Sequence, residues 1–237
     1  MKVLVGCPTF EGYDYCIDEY LKRVRELSFK TFDLILVDNS ETNAYAEKLR
    51  ALGVKIIKVD HQKEVRSRIA ESRNVLREYV LKNDYDYFLS LEQDVIPPRT
   101  VVQRLLRHQK KVVSGIYFKI YTMTIPAHKK DKIVMLEKKV LTPLVFRFSN
   151  DPNKMHVCND KDVEGEKLLK IRACGLGCVL IHRDVLEKVK FRTEEGSESF
   201  DDLIFCTDVY ENGFDIYADT SVKCRHMLTK KGKDIYK

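Results

Sequence analysis

Short apolar runs alternate with amphipathic stretches through the first half of this chain, and that alternation leaves few folds open to it. Val3–Val5, Phe32–Val37, Val54–Val59, Tyr85–Leu91 and Val112–Tyr117 are runs of strand length. Between them, Tyr15–Leu27, Thr42–Leu52, Arg66–Leu81 and Thr100–His108 read as helices; in the first, Tyr20, Leu21, Val24 and Leu27 recur at helical spacing. Strands joined by helical crossovers lie parallel, and the crossovers are right-handed. The expected class is therefore α/β, with a mostly parallel central sheet flanked by helices.

The second half reads differently. From Tyr121 to Lys170 the periodicity is poor, and Pro126, Pro143 and Pro152 interrupt it. Short strands and loops packed on the sheet are expected there, with Leu141–Phe148 as one strand and the segment as a candidate lid. Regular signals return with a strand at Val179–Ile181 and helices at Arg183–Val189 and Leu203–Glu211. Gly213 ends the last helix, and Phe214–Tyr217 and Val222–Cys224 are the final strands. A smaller mixed β region thus occupies the C-terminal half. A chain of 237 residues accommodates this as a single domain, 1–237.

Composition narrows the function classes. Charged residues make up 33% of the chain with both signs mixed, which fits a well-solvated surface. No apolar run reaches the roughly 20 residues of a bilayer-spanning helix. Met1–Pro8 is too short and too soon broken for a signal peptide, so a cytoplasmic protein is expected. The seven cysteines are odd in number and scattered, which favours buried free thiols over a disulfide framework. Cys174 and Cys178 lack a second pair at zinc-finger spacing. Part of the net charge of +6 sits at Lys223, Arg225, Lys230, Lys231, Lys233 and Lys237. That cluster reads as a solvated tail, or as attraction to an anionic ligand or the inner face of a membrane, hence peripheral association. No aromatic–basic interleaving or groove-reading motif points to nucleic acid.

The segment Asp86–Pro98 carries the chemistry. An apolar strand runs into Glu92 and Asp94, one residue apart, and Pro97 and Pro98 then stop it. On a strand these two acids share a face, at the carboxyl end where open α/β sheets bind ligands. Such a pair suits Mg²⁺ or Mn²⁺ bridging protein and diphosphate; the alternative is that Asp94 merely caps the next helix. Asp201 and Asp202 open a helix, as a general base or as ordinary first-turn acids. His226 follows a short strand and is either structural or a ligand, better suited to Mn²⁺ than to Mg²⁺. Gly175 and Gly177 precede a buried strand and allow close approach by a substrate, or simply a tight turn. The chain has no complete dinucleotide-binding glycine pattern, no Walker-type loop and no nucleophile elbow.

In order along the chain, these motifs resemble those of the GT-A-fold glycosyltransferases, particularly the inverting family 2 type. The matching residues are Pro8-Thr9-Phe10, Val37-Asp38-Asn39-Ser40, Arg73-Asn74, Glu92-Gln93-Asp94, the glycine-rich segment from Gly175, Asp201-Asp202, Gly213, Ile216-Tyr217 and His226. The resemblance runs from Val3 to His226. It implies one GT-A-type, Rossmann-like domain whose first half, 1–118, binds a nucleotide diphosphate-sugar donor. The second half, 119–237, would bind the acceptor and carry catalysis.

By position, Pro8 and Thr9 would line the pocket of the nucleotide base and Asp38 would contact the base. Arg73 would sit near the ribose or diphosphate. Asp94 would be the main metal ligand, Glu92 would lie nearer the donor's ribose or sugar, and His226 would complete the metal site. Asp202 would take the proton from the acceptor hydroxyl, with Asp201 as the other candidate base, and Gly175 and Gly177 would border the acceptor. Two positions depart from the pattern: Glu92 stands in for the commoner Asp, and Asp201 for the commoner Glu.

The expected activity is metal-dependent transfer of a sugar, with inversion, to a carbohydrate or lipid-linked acceptor. One alternative is a sugar-phosphate nucleotidyltransferase, although Pro8–Gly12 is neither glycine-rich nor basic as a triphosphate loop would be. Another is a non-catalytic nucleotide-sugar-binding module of the same fold.

Overall fold

The computed structural model describes residues 1–129, 132–151, 154–196 and 200–227. In chain order the first half comprises β1 (Val3–Thr9), a 3₁₀ turn (Glu11–Cys16), α1 (Ile17–Arg25), β2 (Phe32–Asp38), α2 (Ala44–Ala51), β3 (Lys55–Lys58), α3 (Val65–Lys82), β4 (Tyr87–Leu91), β5 (Val95–Ile96), α4 (Val101–Leu106) and β6 (Val112–Ile116). The second half comprises β7 (Phe118–Lys129), β8 (Lys132–Pro143), β9 (Val145–Phe148), β10 (Met155–Val157), β11 (Leu168–Ile171), β12 (Ala173–Cys174), β13 (Cys178–His182), α5 (Arg183–Lys188), α6 (Asp201–Glu211), β14 (Ile216–Lys223) and β15 (Arg225–His226).

The central sheet has eight strands in the order β11-β14-β6-β13-β4-β1-β2-β3. β1, β2, β3 and β4 are mutually parallel, and β6 and β14 run the same way; β13 and β11 run against their neighbours. The mostly parallel α/β sheet read from the sequence is therefore present.

Alternation along each strand divides the core. In β1, Val3, Val5 and Cys7 face one side and Leu4 the other; in β2, Leu36 faces the first side and Ile35 and Val37 the second. The first side is covered by α1, α2 and α4 through Ile17, Tyr20, Leu49, Val101 and Leu105. The second is covered by α3, α5 and α6 through Leu76, Val80, Leu186, Phe205 and Val209. Each such side chain contributes about 1.5–3 kcal/mol on full burial. α3 begins where the Glu64 carboxylate accepts from the backbone N–H groups of Arg66 and Ser67. α6 ends at Gly213, whose φ of +79° only glycine adopts without strain.

Several expectations are corrected. The short strands expected over Tyr121–Lys170 occur only from Val145 onward, as β9, β10 and the start of β11; before them β7 and β8 form a hairpin with twelve residues in each strand, in continuous register from Phe118↔Pro143 to Lys129↔Lys132. Leu141–Phe148 is two strands, because Pro143 ends β8 and the chain re-pairs from Val145 with β10 and β12. Phe214–Tyr217 and Val222–Cys224 belong largely to one strand, β14, whose register with β6 shifts between Ala218 and Lys223. That irregularity explains why the period-two pattern breaks in the middle. The basic cluster at Lys230, Lys231, Lys233 and Lys237 lies outside the described residues.

Candidate active site

Parallel strands deliver their carboxyl ends to one rim. Thr9 pairs with Asp38 at the ends of β1 and β2, and β4 ends at Leu91 beside them. Beyond Leu91 the chain leaves the sheet. The Val95 N–H donates to the Glu92 carbonyl at 2.9 Å, closing a turn over residues 92–95. Glu92 and Asp94 therefore do not share a strand face as expected; they project from a turn above the rim. Gln93 between them turns inward and accepts from the Thr9 hydroxyl.

Arg73 is the centre of the site. It is 3% exposed on α3, and its guanidinium donates to both carboxylate oxygens of Asp201, at 2.5 and 2.6 Å, and through its other terminal nitrogen to Glu92. A guanidinium suits this work because its rigid fork serves two carboxylates at once. The expectation that Arg73 faces ribose or diphosphate is modified: in this structure its two terminal nitrogens engage protein acids.

The two adjacent aspartates are thereby separated. Asp201 is 1% exposed and both its oxygens are held by Arg73, which removes it from the candidate bases. Among the described residues, Asp202 accepts only from the Leu203 N–H, at 2.8 Å. Burial raises the Asp202 pKa and the charge of Asp201 adds to the rise, while Arg73 and the Leu203 N–H oppose it. Glu92 is pushed up to about 7 by burial, with Asp94 adding to the rise and Arg73 opposing it. The charges of Arg73, Asp94, His226 and Asp202 all act on Glu92, so these residues share one electrostatic neighbourhood.

Asp94 and His226 meet at the edge of this cluster. β15 pairs with β5, setting His226 opposite Val95, and the Met227 N–H donates to the Asp94 carbonyl at 2.7 Å. The imidazole Nε2 lies 3.1 Å from Asp94 Oδ2, and Nδ1 lies 2.7 Å from the Phe118 carbonyl. The carbonyl only accepts, so Nδ1 carries a hydrogen and holds the ring in place. Burial alone would lower the His226 pKa; the hydrogen bond and charge of Asp94 outweigh it and raise the value.

A divalent cation fits this pair. Nε2 and Oδ2 already face each other, and the Phe118 carbonyl orients the ring as metal-bound histidines require. Among the described residues no group of three ligating side chains occurs. Among the described residues this pair would supply two ligands, and the remaining positions would suit a diphosphate and water, as is usual for Mg²⁺-like sites. A mixed imidazole–carboxylate set favours Mn²⁺ over Mg²⁺.

On the far side of the rim, Asp38 is fully buried. Its Oδ1 accepts from the Ser40 N–H at 3.1 Å and the Ser40 hydroxyl at 2.6 Å. Its Oδ2 makes no hydrogen bond among the described residues, although the Lys58 ammonium stands 3.5 Å away. His61 and Arg68 flank this corner: His61 Nδ1 is 2.9 Å from the Asn39 carbonyl, and Arg68 packs 5.5 Å over the Phe10 ring.

Gly175 and Gly177 pack closely against Tyr117, which by itself requires glycine at both positions. A Cβ on Gly175 would meet the Tyr117 hydroxyl oxygen at 2.1 Å, and one on Gly177 would meet the ring at 2.7 Å. The Gly177 N–H donates to that hydroxyl at 3.0 Å, and the ring packs edge-on against His226 at 5.3 Å. Both glycines therefore buttress the histidine. The sequence reading missed Tyr117, Lys58, His61 and Arg68, because none stands within a motif. Gln93 was legible only as the spacer between two acids. All seven cysteines are buried and free, as expected.

Two cavities, of about 610 and 390 Å³, lie away from this cluster; the larger is lined by Lys2, Asp33, Lys55 and Tyr85 near the amino ends of β1 and β2. Neither contains Asp94, Asp202 or His226. The cluster at the carboxyl rim, with its opposed charges, is the better candidate because chemistry needs convergent ionisable groups more than volume.

No family model and no curated protein sequence matches the chain. Solved structures do. GalNAc-T7, in complex with UDP, GalNAc and Mn²⁺, superposes with a TM-score of 0.61 at 11% identity over 95% of this chain and 44% of its own. The mannosyltransferase PcManGT from Pyrobaculum calidifontis, with GDP-Man and Mn²⁺, gives 0.59 at 14% identity over 98% and 58%. A197 from STIV gives 0.51 at 16% identity over 97% and 87%. The chain thus spans under two thirds of both the first and the second of these proteins. At such identities the likeness concerns the fold, and the α/β fold of this chain matches that of GT-A-type glycosyltransferases.

Proposed function

We propose that the protein is a metal-dependent glycosyltransferase that moves a sugar from a nucleotide diphosphate-sugar to a hydroxyl acceptor with inversion. The observation that carries this reading is the division of labour at the start of α6. Asp201 is fixed by Arg73, while Asp202 has no such partner among the described residues and a raised pKa, and Asp202, Asp94 and His226 all act electrostatically on Glu92. Inversion needs one base on the acceptor side and charge stabilisation on the leaving-group side; Asp202 would serve as the first and a cation held by Asp94 and His226 as the second.

Asp202 takes the acceptor proton, and its raised pKa strengthens it as a base compared with an exposed aspartate. Arg73 holds Asp201 and Glu92 and so fixes the first turn of α6 that presents Asp202. Asp94 and His226 would hold Mn²⁺ or Mg²⁺, which when bound supplies positive charge to the departing diphosphate. The Pro8 backbone and Thr9 would border the base side, where the buried Asp38 orders the following loop through its bonds from Ser40. The two solved neighbours named with UDP or GDP-Man and Mn²⁺ support this donor class. The loop after β1 passes into a 3₁₀ turn through Glu11 and Asp14 instead of a glycine-rich basic cradle, which disfavours the nucleotidyltransferase alternative.

The test is turnover of a panel of nucleotide diphosphate-sugars with Mn²⁺, read as nucleoside diphosphate release. The wild-type protein should turn over at least one donor, and Asp94→Ala should abolish that turnover. Equal release by Asp94→Ala, or pyrophosphate release from a nucleoside triphosphate and a sugar phosphate, would overturn the reading.

A further inference from the structure

The hairpin β7–β8 is the part of the molecule that the site does not explain. Among the described residues its strands pair only with each other, and at about 3.3 Å per residue each twelve-residue strand reaches roughly 40 Å. Isolated two-stranded ribbons are marginal in water, and exposed ribbon edges invite association. A ribbon of this length therefore calls for something that covers it.

Its surface has two properties. First, Met135 is 60% exposed and Leu136 50% exposed. Consecutive strand residues point to opposite faces, so each face of the ribbon presents a large apolar side chain. Tyr121, on the facing strand, is exposed as well. Second, the segment 118–143 is strongly basic. Its two strands carry five lysines (Lys119, Lys129, Lys132, Lys138 and Lys139) against Glu137, four positive charges in excess. Lysine stems lie along apolar surface while their ammonium groups stay in water, which suits the boundary between headgroups and acyl chains.

We infer that the β7–β8 hairpin is a docking arm that lies in the interfacial layer of an anionic lipid bilayer. Its apolar side chains enter the acyl boundary and its lysines meet lipid phosphates and carboxylates, an attraction that salt screens. The root of the arm adjoins the candidate site: the Phe118 carbonyl at its base orients His226, and Lys119 acts electrostatically on Asp202. Docking would therefore place the rim of the sheet near the membrane surface. The inference stands on the ribbon and its charge, and it holds or fails independently of sugar transfer.

The experiment is co-sedimentation of the full chain with vesicles of phosphatidylcholine alone and of phosphatidylcholine with phosphatidylglycerol. It is run at low and high salt on the wild type, Met135→Asp/Leu136→Asp and Lys138→Glu/Lys139→Glu, with the melting temperature of each variant as the control for folding. Binding to the anionic vesicles alone, weakened at least tenfold by high salt and by each double variant at unchanged melting temperature, is the expected result. Lys138→Glu/Lys139→Glu leaves the hairpin's apolar residues in place, so it remains informative if the aspartate variant fails to fold. Three outcomes overturn the inference: no binding by the wild type, binding that both variants retain, or concentration-dependent self-association in place of vesicle binding. The last would assign the arm to a second copy of the chain.

Discussion

Adjacent residues of one type do opposite jobs in this molecule. Asp201 and Asp202 are chemically identical and both open α6, yet one is clamped by a buried guanidinium and the other faces the cluster with only a backbone partner among the described residues. Asp202→Asn should lower transfer by about 10²–10⁴-fold, the usual contribution of a general base, with little change in donor binding. In the wild type, the acid limb of the pH–rate profile should lie above the ordinary aspartate pKa of about 3.9, because burial raises the value of Asp202. The sign for stability follows from the same shift. A carboxyl whose folded pKa is raised contributes fully below its unfolded pKa, and that contribution is lost as pH rises through the folded value. Asp202→Asn should therefore melt higher than wild type at neutral pH, with the difference fading below about pH 4.

Arg73 makes the complementary case. Arg73→Met leaves the carboxylate of Asp201 buried without its partner and should cost about 3–5 kcal/mol, seen as a fall of roughly 10 °C in melting temperature. Adding Asp201→Leu should restore part of the loss. No restoration in the double variant would show that the pair is not the source of the destabilisation. These roles were half legible in the sequence. The acids and the arginine stand in recognisable motifs, but which carboxylate the arginine takes depends on a contact across 128 positions of chain, and no local pattern encodes that.

At the scale of elements, the strand–helix alternation was readable because its period is set by backbone geometry and its apolar faces are continuous. β1 to β4, α1 to α4 and β6 all lie close to where the sequence places them. The hairpin was not readable. Where its side chains are described the outer ribbon is exposed on both faces, with no buried side to impose alternation, so its paired residues resemble a loop with prolines. The turn over residues 92–95 was also missed, since apolar Val95 and Ile96 continue the pattern of β4 after the chain has left the sheet. The glycines before β13 reveal a packing constraint. Gly175→Ala should destabilise the protein by about 1–3 kcal/mol through overpacking against Tyr117. Tyr117→Phe in that background should relieve part of the strain by deleting the oxygen that the new methyl group meets. Melting curves of the two variants check both statements, and an unstrained Gly175→Ala would remove the proposed buttress beneath His226.

Across the whole molecule, the sheet brings four distant parts of the chain to one rim: the end of β1, the end of β2, the turn after β4 and the segment after β14. Helices on both faces bury the two cores, so the rim inherits rigid supports on either side. Asp94 and His226 stand at its edge already facing each other, 3.1 Å apart. Crystals grown with Mn²⁺ and a nucleoside diphosphate, measured at a wavelength where manganese scatters anomalously, address this arrangement directly. A single anomalous peak should lie between Asp94 Oδ2 and His226 Nε2, in contact with the diphosphate and with the base beside Thr9 and Asp38. A nucleotide bound elsewhere, or manganese on the diphosphate while Asp94 and His226 stay paired to each other, would contradict the proposed site.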